Sequence, residues 1–537
     1  MISRGRRSPA GLLLLGAVIA TAALLRLDLA RKQSLWADEM FSLGVATGHS
    51  LEHPAEKADP GQGDYLESPR AEPPAHYASY LRHDEPPAGP SRVLRAVFLS
   101  DTSPPLYYIL LNLWTRALGT GDGALRLFSI VASLACFPFL LRAARRTGGR
   151  SAALPAAVLF AVSPVCVYYS SEGRMYGLLW LLTSCWLWAS LELRTRPCPA
   201  AYAAWVASAA AGLLTHYFFA PVLGAGIGWL LMRPGRVSRR ALGVATAITA
   251  LLVLPWFVFV PSSLAQWRVT AGWLRLDPGL NTRIAALLLP WSNAWLRPWP
   301  TLVSALDRIN VGLYSLVFVL AAFRLRSRLL AGSRPLLWAC FGAALLTPLV
   351  LDLVGGTHLV AVIRYSLTAL PAFCLLGGIA LAALPPLRRT VLLSLIVLVA
   401  LRGHQQRGTR HSEPFDAIGR LLVAETDASD VVIVHSIPSG VCGIARAMIH
   451  AGGTEGSPVA SWVARLRPEF DPGQLDRVAR GRRRIVLVKI HTVGEPAPQE
   501  AWLREHARLA AEPRIRGAQV LFFEPSRGVG FFEDALD

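Results

Sequence analysis

Eleven apolar runs, at about 10–27, 124–141, 152–169, 174–192, 200–215, 217–232, 241–260, 301–323, 335–351, 365–384 and 390–402, occupy most of the first 402 residues. Most approach the ~20 residues that cross a hydrocarbon core as a helix, and lipid leaves few alternatives because every backbone polar group there must be paired internally. The expectation is an α-helical polytopic membrane protein. A hydrophobic content of 53% over 537 residues is more than a soluble domain uses. Past Arg402 the hydropathy drops. Residues 403–537 read as a separate, small α/β domain, with strands at Asp430–His435, Arg484–Lys489 and Ala518–Phe523 among helices at 414–424, 438–451 and 498–511.

Charge fixes the expected topology. The net +19 lies wholly in residues 1–403, because residues 404–537 carry 17 basic and 17 acidic side chains. The excess is gathered in short arginine clusters between apolar runs: Arg142 to Arg150, Arg194 and Arg196, Arg233 to Arg240, Arg324 to Arg334, and Arg388 with Arg389. Such clusters mark cytoplasmic loops rather than a nucleic-acid surface. They share one side only if Pro104–Leu118, at about 15 residues, lies in the outer interface instead of spanning. The expected location is then the inner (plasma) membrane, with an uncleaved first helix and the N-terminus inside. The loops around Asp38, Asp101, Glu172 and His216, the stretches 261–300 and 352–363, and the C-terminal domain then face outward. A second interfacial helix is expected at 281–297, in a Trp-rich stretch. The seven cysteines form no CxxC site or disulfide framework.

Within the long first outer loop, 28–123, no hydrophobic period organises residues 49–92, so no fold is assigned to them. Its two ends carry acids. Asp38 and Glu39 follow the first helix directly; being adjacent, they point roughly 100° apart on a helix, so one suits a base and the other a helix-terminal partner. Asp101 precedes the rigid Pro104-Pro105 corner and Tyr107-Tyr108. Such carboxylates can accept a hydroxyl proton or hold a divalent cation. The plainer alternatives are a solvated cap for the first pair and an Asx turn for Asp101. Glu172, Arg174 and Tyr176 share a tight outer turn that suits a sugar-phosphate head group or simple interfacial anchoring. His216 lies between two apolar runs. Arg364-Tyr365 opens a run on the outer side, against the positive-inside trend, and so calls for a carboxylate or phosphate partner.

Taken in order, Trp36-x-Asp38-Glu39, Asp101-x-x-Pro-Pro-Leu-Tyr107-Tyr108, Gly121 or Gly123 before Arg126-Leu127, Tyr-Ser-x-Glu172-x-Arg174-x-Tyr176, Thr-His216-Tyr-Phe and Arg364-Tyr365 with Pro371 resemble the motifs of one family. They resemble the bacterial GT-C membrane glycosyltransferases, which include protein O-mannosyltransferases and the lipid A aminoarabinose transferase. The resemblance spans about residues 10–385. It implies a GT-C fold of about 11–13 transmembrane helices with outer juxtamembrane helices over residues 1–402, and a polyprenyl-phosphate sugar as donor. By resemblance, Asp38 is the general base of an inverting transfer supported by Glu39, and Asp101 binds substrate or, with Asp38, a Mg or Mn ion. Arg174, Arg364 and His216 offset phosphate charge; Glu172 orients Arg174 or binds sugar; Tyr107, Tyr176 and Tyr365 line the cavity. The acceptor is a lipid, a glycan or a protein in cell-envelope glycosylation. Partners are the donor, the acceptor and membrane lipids, not nucleic acid. Two rivals stay open: a transporter or flippase of lipid-linked or anionic substrates, and a non-catalytic scaffold. The C-terminal domain either packs over the active face or binds acceptor.

Overall fold

A computed structural model describes residues 9–32, 34–53, 57–100, 103–262, 331–405, 413–452, 457–463, 471–492 and 497–525, with 277, 279–288 and a few positions between 309 and 316. The chain divides into two compact units. The first is Met1–Lys32, Ser103–Tyr107 and Arg126–Arg410; the second is Gln33–Thr102, Tyr108–Leu125 and His411–Asp537.

The first unit is helical, and each apolar run lies on helix except 301–323, most of which falls outside the described residues. In chain order come α1 (Pro9–Arg31), α6 (Asp122–Leu134), α7 (Phe137–Gly148), α8 (Arg150–Val162), α9 (Pro164–Ser170), α10 (Tyr176–Thr195), α11 (Pro199–Leu213), α12 (Ala220–Met232) and α13 (Arg239–Phe257). Helices Arg334–Gly355, Leu370–Ala382 and Pro386–Gln405 follow. Among the described residues, four helices are long and apolar enough to cross a membrane, or five if α8 and α9 are one bent span. Pro164 explains that 56° bend, since its ring removes an N–H donor and clashes with the preceding turn. The Trp-rich stretch has helix at Gly279–Leu288, the rest of 281–297 lying outside the described residues.

Ending α8 at Val162 leaves its last carbonyls without helical partners. Arg26 of α1 takes two of them: it donates to Phe160 O at 3.2 Å and Ala161 O at 3.0 Å, and also to Ser133 Oγ at 3.1 Å. A fully buried guanidinium is thus held by carbonyl dipoles at a helix C-terminus, where positive charge is favoured. Small residues let helices approach closely. A Cβ on Gly378 would sit 2.7 Å from Ala152 O and 2.7 Å from the Ala156 Cβ, so α8 meets Leu370–Ala382 nearly backbone to backbone.

The second unit centres on a six-stranded sheet in the order β2-β1-β3-β6-β4, with β5 paired to β6. Strands β1 (Val431–His435), β2 (Val459–Trp462) and β3 (Ile485–Ile490) are parallel, while β6 (Ala518–Pro525) and β4 (Ala507–Ala511) run antiparallel, as does β5 (Arg514–Ile515). Every residue of β1 and β3 is buried, as in sheets covered on both faces. Helices Phe415–Glu425 and Pro438–His450 pack together, with Gly419 against the Ala447 backbone and Gly443 against the Phe415 ring. The three strands anticipated from sequence are present; β2, β4 and β5 are additions, and 507–511 is strand rather than helix.

Residues 57–100, for most of which the sequence assigns no fold, are ordered. They form a short 3-10 turn at Pro60–Gln62, α3 (Pro74–Ser79) and α4 (Pro90–Ser100). The stretch read as interfacial follows as α5 (Leu106–Leu118), whose 13 residues fall short of a span. Polar pairing replaces a hydrophobic period: Arg95 grips Asp64 through two 2.7 Å bonds, and Asp84 lies 2.6 Å from Arg92 and 3.2 Å from His49. The segment covers the open edge of β2, where Glu72 pairs with Val459, Tyr65 Oη lies 2.5 Å from Ser461 Oγ, and Val463 N donates to Glu67. An edge strand blunted in this way is closed to other chains.

Candidate active site

In the first unit, the structure gathers Arg174, Tyr176, His216, Arg364 and Tyr365. The turn before α10 is anchored by Ser129, whose Oγ donates to Arg174 O at 2.7 Å, and by Ser171, whose Oγ donates to Arg26 O at 3.2 Å. Gly177 lets that turn sit against the Ser129 carbonyl, which an added Cβ would reach at 2.2 Å. His216 leaves α11 in extended backbone, and its Nδ1 accepts the Phe218 N–H at 3.2 Å. Tyr365 and Arg364 lie on a single 3-10 turn, Ile363–Tyr365.

Aromatic rings connect these groups. Tyr176 is 6.3 Å from His216, His216 is 5.8 Å from Phe218, and Phe218 is 5.1 Å from Tyr365, over whose ring Arg364 lies at 5.7 Å. Burial, with Arg174 and Arg364 nearby, pushes the His216 pKa down to about 3. The imidazole is therefore neutral at physiological pH, and because Nδ1 accepts, its proton is on Nε2. Arg174 and Arg364 are the groups whose positive charge acts on the ring. Glu172 is buried in the same turn, and Tyr107 is buried in the first unit, 5.7 Å from Phe128. The backbone beside it is fixed where Leu106 N donates to Leu214 O at 2.9 Å. Asp352 serves its own loop, accepting from Thr357, Leu359 and Val360.

In the second unit, α2 (Ala37–Ala46) carries Asp38 and Glu39 in its first turn. Glu39 is buried and reaches back so that Trp36 N donates to its Oε2 at 3.3 Å, while Asp38 is partly exposed. Glu39 is the one of the pair that satisfies a helix-end amide. Asp101 lies outside the described residues. Among the described residues, no group of three or more His, Cys, Asp or Glu could hold a metal ion; of the pair expected to hold Mg or Mn, only Asp38 is among them. Sequence reasoning missed Glu413, whose Oε2 accepts the Ala37 N–H at 2.5 Å. No local pattern signals a contact across 376 positions.

Residues 102–259 match the family described as dolichyl-phosphate-mannose-protein mannosyltransferase. No curated protein matches the chain. Among solved structures, ArnT from Cupriavidus metallidurans bound to undecaprenyl phosphate is similar with a TM-score of 0.54 at 13% identity, covering 96% of this chain and 98% of that one. The same protein in the apo state gives 0.51 at 14% identity, over 89% and 95%. The chain shares the fold of these two structures, the GT-C fold that its motifs anticipated.

Proposed function

We propose that the protein is an integral-membrane glycosyltransferase that moves a sugar from a polyprenyl-phosphate donor to an acceptor hydroxyl. The observation that carries this reading is the pairing of Arg174 and Arg364 with a neutral His216 and an aromatic wall, in a chain with the fold of an undecaprenyl-phosphate-bound ArnT. Two fixed cations at the lipid-phosphate end would stabilise the charge that grows there as the glycosidic bond breaks, and such preorganised electrostatics is a major source of rate. Rings at Tyr176, Phe218 and Tyr365 would flank the sugar or the first isoprene unit, with Tyr107 a further lining residue. Glu172 would orient Arg174 or bind sugar hydroxyls.

In the proposed reaction, Asp38 removes the acceptor proton as the hydroxyl oxygen attacks the anomeric carbon. The new C–O bond forms with inversion, the anomeric carbon–phosphate oxygen bond breaks, and polyprenyl phosphate leaves with the electron pair. Glu39 holds the turn that carries Asp38, and Asp101 binds substrate. No step above is routed through a metal; an Mg or Mn ion at Asp38 and Asp101 is a further part of the proposal. The sugar-bearing face is proposed to be extracytoplasmic, in a plasma membrane, and the acceptor a lipid, glycan or protein of the envelope.

The test is transfer from a panel of polyprenyl-phosphate sugars by the purified protein in nanodiscs, before and after chelation and with Mg or Mn restored. Release of polyprenyl phosphate together with a new glycoside is expected. Movement of intact donor between leaflets without bond cleavage would instead make the protein a flippase.

A further inference from the structure

We propose that Glu413 is a positioning residue for Asp38, and that the C-terminal α/β domain thereby holds the catalytic turn in place. This rests on the reading of Asp38 as the base. The Glu413 carboxylate meets α2 at its first residue: Oε2 accepts the Ala37 N–H at 2.5 Å. That amide is one of the N-terminal donors a helix cannot satisfy itself, and a carboxylate there is favoured by the helix dipole. Trp36 N is already taken by Glu39, so two carboxylates close the end of α2 at the two amides that precede Asp38.

Glu413 is itself held by the sheet. His491 Nε2 lies 3.1 Å from its Oε1. The other ring nitrogen, Nδ1, is 3.0 Å from Ser436 Oγ. Ser436 follows β1 and His491 follows β3, so both lie at the carboxyl ends of adjacent parallel strands, the edge where open α/β sheets place functional groups. His491 also has φ of 68°, a left-handed conformation that strains a non-glycine residue and persists where surroundings enforce it. Gly440 leaves room for the arrangement, since a Cβ there would fall 2.1 Å from Ser436 Oγ and 3.1 Å from His491 Nδ1. A strained backbone, a glycine-sized gap and a carboxylate on a helix-end amide converge one residue from Asp38.

The test is hydrogen–deuterium exchange by the full-length protein in nanodiscs, together with donor kinetics. Glu413→Ala is expected to speed exchange across the first turn of α2 while β1 and β3 keep their protection, and to lower kcat roughly tenfold with the donor KM unchanged. Glu413→Gln, whose amide oxygen still accepts from Ala37, is expected to restore both. His491→Gly, which suits the left-handed backbone and removes the ring, is expected to loosen the same turn if Glu413→Ala fails to fold. Unchanged exchange at α2 in the folded variants, or a Gln variant as impaired as Ala, would overturn the proposal. Exchange needs no turnover, so an active Asp38→Asn enzyme would refute the base assignment while leaving the clamp to stand or fall on α2 exchange.

Discussion

His216 and the guanidiniums around it decide how the site carries charge. The sequence places a histidine among aromatic residues between two apolar runs, which suits a cation beside phosphate equally well. Burial next to Arg174 and Arg364 pushes its pKa down to about 3, which favours the neutral ring. Linkage follows in sign: an unfolded chain takes up this proton near ~6.5 and the folded chain only far below, so the residue's stabilising contribution is full above that value and is lost as pH falls toward about 3. For catalysis, His216→Gln is expected to leave every inflection of the kcat/KM profile between about pH 5 and 8 in place. An inflection near ~6.5 that disappears in the variant would show that His216 titrates in the working enzyme.

Among helices and strands, hydropathy was sufficient for the helices, since a bilayer forces each long apolar run to pair its own backbone. β1, β3 and β6 were equally legible because their apolar residues run unbroken between turns. Short β2, made of Val459–Trp462, lacks that length, and 507–511 continues a helical composition into strand because β6 supplies its pairing. How closely two helices meet is not written in hydropathy at all. Gly377 and Gly378 look like any pair of small residues until α8 is seen against them. Gly378→Ala is expected to destabilise the fold by about 1–3 kcal/mol, as overpacking does where the obstructing atom is backbone. The matched control is Gly342→Ala, where a Cβ meets nothing within 4 Å. Equal thermal midpoints for the two variants would show that the α8 contact does not limit stability.

Over the full chain, the order of motifs carried the fold class, while the partnership between residues 57–100 and the C-terminal domain stayed hidden. Residues 57–100 have no period because their order comes from ion pairs and from the distant edge of β2. Glu413 escaped notice for the same reason: a single acid in a linker acquires meaning only once folding brings it to α2. The proposed mechanism depends above all on the partly exposed carboxylate of that helix doing the chemistry. The decisive experiment is single-turnover sugar transfer by wild-type and Asp38→Asn protein in nanodiscs, with donor binding measured in parallel. The Asp38→Asn variant is expected to bind donor normally and to transfer sugar roughly 10²–10⁴-fold more slowly. Transfer at the wild-type rate by that variant would contradict the assignment of Asp38 as the base.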